Sequence, residues 1–102
     1  MKNLALSIKF IATDENREEF KNILIDLFNV IASEEKFIDA SIAEEMENPN
    51  SIIVYETWNT TVSEFMEQQM TRAYRIPFEK ALVSLDVKRE PKVFFTIQEW
   101  KS

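Results

Sequence analysis

The sequence predicts an α+β fold, a ferredoxin-like βαββαβ arrangement with a four-stranded antiparallel sheet and its helices on one face. Three observations carry this. Four segments read as strands, the first of them alternating apolar and polar residues with the period of two that a half-buried strand shows. One long segment repeats apolar residues at spacings of three and four, as an amphipathic helix does. The order strand, helix, strand, strand, broken helix, strand joins into one sheet through allowed crossovers.

Leu4, Leu6, Ile8 and Phe10 alternate with Ala5, Ser7 and Lys9, which predicts a strand near 4–12. Thr13-Asp14-Glu15-Asn16 follows as a polar turn rich in N-cap residues, with Glu19 three positions after Asn16. A helix over about 14–33 is expected, its stripe formed by Phe20, Ile23, Leu24, Leu27, Phe28 and Ile31. Each of these side chains contributes roughly 1.5–3 kcal/mol if buried. Ile38, Ala40 and Ile42 share one side of a second strand near 36–46. Glu47-Asn48-Pro49-Asn50 reads as a glycine-free turn leading into a third strand at 51–58, paired with the second as a hairpin. A helix near 61–74 presents Val62, Phe65, Met66 and Met70, and Pro77 opens another near 77–85 with Phe78, Ala81, Leu82 and Leu85. Asp86 to Pro91 reads as a charged loop, and 92–100 as the last strand.

Composition bounds the function. A chain of 102 residues is expected to form a single domain that buries roughly two-thirds of its unfolded surface. A net charge of −6 opposes binding to nucleic acid or an anionic membrane through a broad electrostatic field. No cysteine is present, which removes disulfides, thiolate metal sites and cysteine nucleophiles. Without histidine the commonest general base and metal ligand is missing, and without glycine there is no phosphate-cradling loop. Met1-Lys2-Asn3 leads into an alternating segment rather than the apolar core of a signal peptide, so a cytoplasmic location is expected.

The corner between the third strand and the following helix carries the chemistry. Ile52, Val54, Glu56 and Trp58 fall on one strand face, which makes Glu56 and Trp58 neighbours. Thr61 and Glu64 fit a capping box, in which hydroxyl and carboxylate satisfy each other's backbone N–H. A carboxylate on an otherwise apolar face sits either at a wet rim or in a buried site with a raised pKa and a partner, and only the second points to function. Apolar residues also lie on both faces of the third and fourth strands, where a sheet open to water should alternate more cleanly. A second copy of the same sheet is the simplest cover, which predicts a homodimer.

The run IIVYETW at 52–58, followed at once by a helix start, resembles the signature of the antibiotic-biosynthesis monooxygenase family, small dimeric α/β barrels that include quinol and polyketide monooxygenases. The resemblance in element order extends from Leu4 to about Trp100. It implies two sheets paired face to face and, in each subunit, a pocket between sheet and helices. Trp58 corresponds to a tryptophan lining that pocket in many members, and Glu56 to a frequent acidic neighbour. Many relatives also carry a histidine about two turns into the next helix, the iron ligand of the haem-degrading branch. This chain has Met66, Glu67, Gln68 and Gln69 there, which argues against haem breakdown.

The activity so implied is cofactor-independent monooxygenation of a small aromatic quinol or polyphenol, with no metal or other cofactor. Glu56 or Glu67 would act as base, Trp58 and Tyr74 would hold the ring, Phe65, Met66 and Met70 would wall the pocket, and Arg72 with Tyr74 would close its mouth. The alternatives are a non-catalytic dimeric module binding a small hydrophobic molecule, and an isomerase or decarboxylase on the same fold.

Overall fold

The computed structural model describes residues 3–102; Met1 and Lys2, expected to lead into the first strand, lie outside them. The elements are β1 (Leu4–Ile11), α1 (Arg17–Ile31), β2 (Phe37–Glu45), β3 (Asn48–Trp58), α2 (Val62–Glu64) continued by a π-helical turn (Phe65–Gln69), a 3₁₀ turn (Ala73–Arg75), α3 (Ile76–Ser84) and β4 (Lys88–Phe95). The strands form one antiparallel sheet in the order β2-β3-β1-β4. The first strand thus lies beside the third, as the βαββαβ reading requires.

One face of the sheet carries the helices. Leu4, Leu6 and Phe10 of β1 and Ile52, Val54 and Trp58 of β3 are buried there against Phe20, Leu24, Leu27 and Ile31 of α1 and Phe78 and Leu82 of α3. Phe10, Phe20 and Phe78 meet with ring centroids 5.2–6.1 Å apart, closing one end of the layer. At the other end Trp58 stands edge-on to Phe37 and Phe65, at 5.5 and 5.2 Å.

Several boundaries differ from the sequence expectation, each for a local reason. The hairpin turns at Met46 and Glu47, and Pro49 lies inside β3, where the register jumps from Glu44↔Ile52 to Glu45↔Asn48. An irregularity of this kind accommodates a residue that has no N–H to donate. A second bulge between Phe37 and Asp39 brings Phe37 onto the core face opposite Trp58, the place expected for Ile38.

At the start of α1 Asn16 makes no side-chain cap; its amide donates instead to the Leu85 carbonyl at 3.1 Å, satisfying the orphan acceptor at the end of α3. That helix closes without glycine. Asp86 takes a positive φ of 55°, while Val87 N–H and Asp86 N–H donate to Leu82 O and Val83 O, a Schellman motif that also brings Val87 beside Leu82.

The last strand begins at Lys88, earlier than expected, and ends at Phe95 rather than at residue 100. Lys88-Arg89-Glu90-Pro91 reads as a loop in isolation, yet β4 is an edge strand, where charge and proline are tolerated because one side needs no partner. Pairing reaches Leu4↔Phe95 and one further bond from Thr96 N–H to Asn3 O. Beyond it Ile97 and Trp100 are exposed.

The helical segment after β3 is also shorter than 61–74. The Thr61–Glu64 capping box forms as expected, with bonds of 2.9 and 3.1 Å. After Glu64 the helix loosens into the π turn, closed by Met70 N–H to Phe65 O. This shift turns Phe65 and Gln69 inward and leaves Met66 half exposed, whereas regular helical spacing had placed Phe65, Met66 and Met70 on one buried face.

Candidate active site

Between the sheet and the helices lies a cavity of about 280 Å³. Its walls are apolar, with Leu6, Ile8 and Val93 from the sheet and Phe65, Met66 and Met70 from the segment after β3. Its charged groups are Glu56, Arg75, Glu79 and Arg89. A wider groove of about 770 Å³ runs between α1 and β2, but it is open to solvent, and Lys21 there is already paired with Glu18 and Glu44.

Glu56 occupies the strand position expected of it, and its side chain is buried, with 3% of the residue exposed. Trp58, two residues along the same face, donates its indole N–H to Glu56 Oε1 at 2.7 Å. A period of two places both groups on one side of β3, so the pair follows from strand geometry. Burial pushes the Glu56 carboxyl above the usual carboxylate range, while the Trp58 hydrogen bond and the Arg75 guanidinium act in the opposite direction. Trp58 itself is fully buried and absent from the cavity lining; it positions Glu56 from behind.

The other candidates divide. Phe65, Met66 and Met70 line the cavity, but Glu67, Arg72 and Tyr74 do not. Glu67 is exposed, near Ser63 and Thr71. Arg72 Nε and Nη2 pair with Glu34 at 3.1 and 3.2 Å, and Tyr74 donates its hydroxyl to Glu34 Oε2 at 2.7 Å. These two residues tie the 3₁₀ turn to the loop after α1 instead of closing a pocket mouth. Glu34 is thereby held below the usual carboxylate range by Tyr74 first and Arg72 second, and burial with the Glu34 bond pushes the Tyr74 phenol up to about 12.

Arg75 is the residue that sequence reasoning missed. It follows Tyr74 directly, and only the path of the 3₁₀ turn decides which of the two nearby arginines reaches the cavity. Its guanidinium carbon lies 5.7 Å from the Phe65 ring centre and 5.9 Å from that of Tyr74. Its Nε and Nη2 are buried and have no hydrogen-bond partner among the described residues. Arg89 and Glu79, also on the wall, satisfy each other through two bonds of 2.7 Å.

Chemically the cavity joins an apolar enclosure, one desolvated carboxyl with a fixed donor, and one guanidinium with free edges. It can accommodate a small ring compound and exchange a proton with it. Among the described residues no group of three or more His, Cys, Asp or Glu could hold a metal ion, and no helix is long and apolar enough to cross a membrane.

Neither a protein-family model nor a curated protein matches the sequence. Solved structures do match the fold. SnoaB, a cofactor-independent oxygenase from Streptomyces nogalater, superposes with a TM-score of 0.84 at 16% identity, covering 100% of both chains. A conserved protein from Methanosarcina mazei Go1 gives 0.80 at 24% identity over 92% of each chain. A Deinococcus radiodurans protein provisionally named an antibiotic biosynthesis monooxygenase gives 0.78 at 14% identity, covering 97% of this chain and 95% of that one. The chain has the fold of these proteins.

Proposed function

We propose that the chain is a cofactor-independent monooxygenase acting on a small aromatic quinol or polyphenol. The observation that carries this reading is the buried Glu56 carboxyl, held by the Trp58 indole N–H at 2.7 Å and facing an apolar cavity. The likeness in fold to SnoaB supports the reaction class.

Glu56 in its ionised form removes a proton from the ring hydroxyl. The resulting anion gives one electron to dioxygen, and the radical pair recombines by forming a C–O bond. The peroxide anion so formed takes back the proton held by Glu56, and the resulting hydroperoxide, on a ring carbon that bears a hydrogen, loses water to leave a carbonyl. Dioxygen is the oxidant and the substrate anion the reductant; one oxygen atom ends in product and the other in water. The protein contributes a base, orientation and exclusion of bulk water. A raised pKa suits this role, because it makes the Glu56 carboxylate a stronger base.

Oxygen uptake with a panel of quinols and polyphenols tests the reading. Glu56→Gln should retain the fold and ligand binding while lowering turnover by roughly 10²–10⁴-fold. If no compound drives oxygen consumption in wild type and Glu56→Gln alters only stability, the protein is instead a binding module for a small hydrophobic ligand.

The active form is inferred to be a homodimer paired through the sheet face opposite the helices. On that face Tyr55 and Phe94 are about half exposed, and Ile53, Ser7 and Lys9 stand near them in register. Sedimentation at micromolar concentration should give twice the chain mass, and a monomer there would sink the inference.

A further inference from the structure

We propose that the cavity selects ring compounds that carry one negative charge, and that Arg75 is the residue that anchors the charged oxygen. This rests on the proposed function only in naming the ring class, and it concerns binding rather than turnover.

Three guanidiniums surround this region, and two are satisfied. Arg72 takes both oxygens of Glu34, and Arg89 takes both oxygens of Glu79. Arg75 alone of the three keeps buried N–H edges without an acceptor among the described residues. The rings of Phe65 and Tyr74 do not supply one. A cation–π contact engages the charge through a ring face, whereas the in-plane N–H donors still need an oxygen.

A desolvated donor left empty is costly, and a charged one more so. The planar fork of Arg75 suits a carboxylate, and its charge also suits a phenolate oxygen. Around it the cavity lining is mostly hydrocarbon and aromatic, with Glu56 and the Glu79–Arg89 pair as its other charged groups. The preferred occupant therefore combines a flat apolar body with an anionic edge.

Glu79 and Arg89 hold each other through paired bonds, so among the described residues of the lining Arg75 is the one cation with no carboxylate hydrogen-bonded to it. A monoanion meets this one open fork, while the second charge of a dianion would find no free cation in the lining. In the reaction proposed above, Arg75 would hold the charge with which the ring enters, and Glu56 would act on a neutral hydroxyl of the same ring.

Calorimetric titration of the full chain with 2-naphthoate and with its neutral isostere 2-naphthamide tests this. Wild type should bind the acid about ten- to a hundredfold more tightly than the amide, the range expected of a hydrogen bond to a charged group. Arg75→Gln should abolish that ratio while leaving naphthamide affinity within about threefold, the ordinary spread for such contacts. Arg75→Lys should keep part of it, since a point charge remains but the fork is lost. Arg72→Gln should leave it unchanged, because that side chain is committed to Glu34. Circular dichroism of each variant establishes that it folds. Equal affinity for acid and amide in wild type, no binding of either, or an unchanged ratio in folded Arg75→Gln would each overturn the proposal. Acid selectivity without any oxygen uptake would leave it standing while the monooxygenase reading fell, and oxygen uptake from neutral quinols without acid selectivity would do the reverse.

Discussion

Two carboxylates in this protein accept a hydrogen bond of the same 2.7 Å length from an aromatic side chain, yet their proton affinities move in opposite directions. Glu34 takes the Tyr74 hydroxyl, and Glu56 takes the Trp58 indole N–H. Glu34 also has Arg72 within bonding distance and remains near solvent, so its charged form is favoured. Glu56 is enclosed by hydrocarbon, and desolvation outweighs its single donor. The bond is thus not what distinguishes a staple from a reactive group. The surrounding dielectric and the nearest cation decide it.

Removing the aromatic donor at the buried pair should show the largest effect. Trp58→Ala leaves a cavity between Phe37 and Phe65 and should cost about 3–5 kcal/mol of stability in chemical denaturation. Trp58→Phe keeps most of the packing but strips Glu56 of its donor, which should cost about 1–3 kcal/mol. The same change should raise the Glu56 pKa further, because the lost bond favoured the charged form. The rising limb of kcat/KM against pH should accordingly move upward in Trp58→Phe. A limb that stays in place would mean that Trp58 only packs.

The stability of the two pairs should also respond to pH with opposite signs. The folded pKa of Glu56 lies above its ordinary value of 4.5, so its contribution is complete below that value and is lost as pH rises through the folded pKa. Glu34 is lowered, so its contribution is present above 4.5 and is lost as pH falls through its folded pKa. Glu34→Gln should therefore flatten only the acid limb of the stability curve. Its cost near neutral pH should be under about 1 kcal/mol, since the pair is partly exposed and its Coulomb energy is screened. The Tyr74 phenol, now about 12, should fall toward the ordinary tyrosine range in that variant, read by absorbance titration in a Tyr55→Phe background. A Glu34→Gln protein that lost turnover as Glu56→Gln does would erase the distinction between the two carboxylates.

Much of this was legible along the chain. Alternation sorts the residues of β1 and β3 by face and places Glu56 beside Trp58. The long apolar stripe marked α1, and Thr61 with Glu64 marked the corner where the chain leaves the sheet. These features depend on residues within one or two turns of each other, where covalent geometry sets spacing.

What the sequence did not reveal depends on partners distant along the chain. The limits of β4 follow from the length of β1 beside it and from its place at an edge, where Lys88 to Pro91 can pair despite their loop-like composition. The π turn at Phe65–Gln69 adds a residue to the repeat and so turned Gln69 inward, which a regular helical wheel does not anticipate. Arg72, Tyr74 and Arg75 lie within four positions, and their composition gives no reason to separate them. The tertiary structure does so because Glu34, 38 residues before Arg72, captures Arg72 and Tyr74, and Arg75 alone is left turned toward the cavity. Local periodicity determined the face on which the carboxyl would lie. Whether that face was dry, and which cation shared it, was decided by where the remote elements packed, since dielectric and charge pairing are properties of the assembled volume.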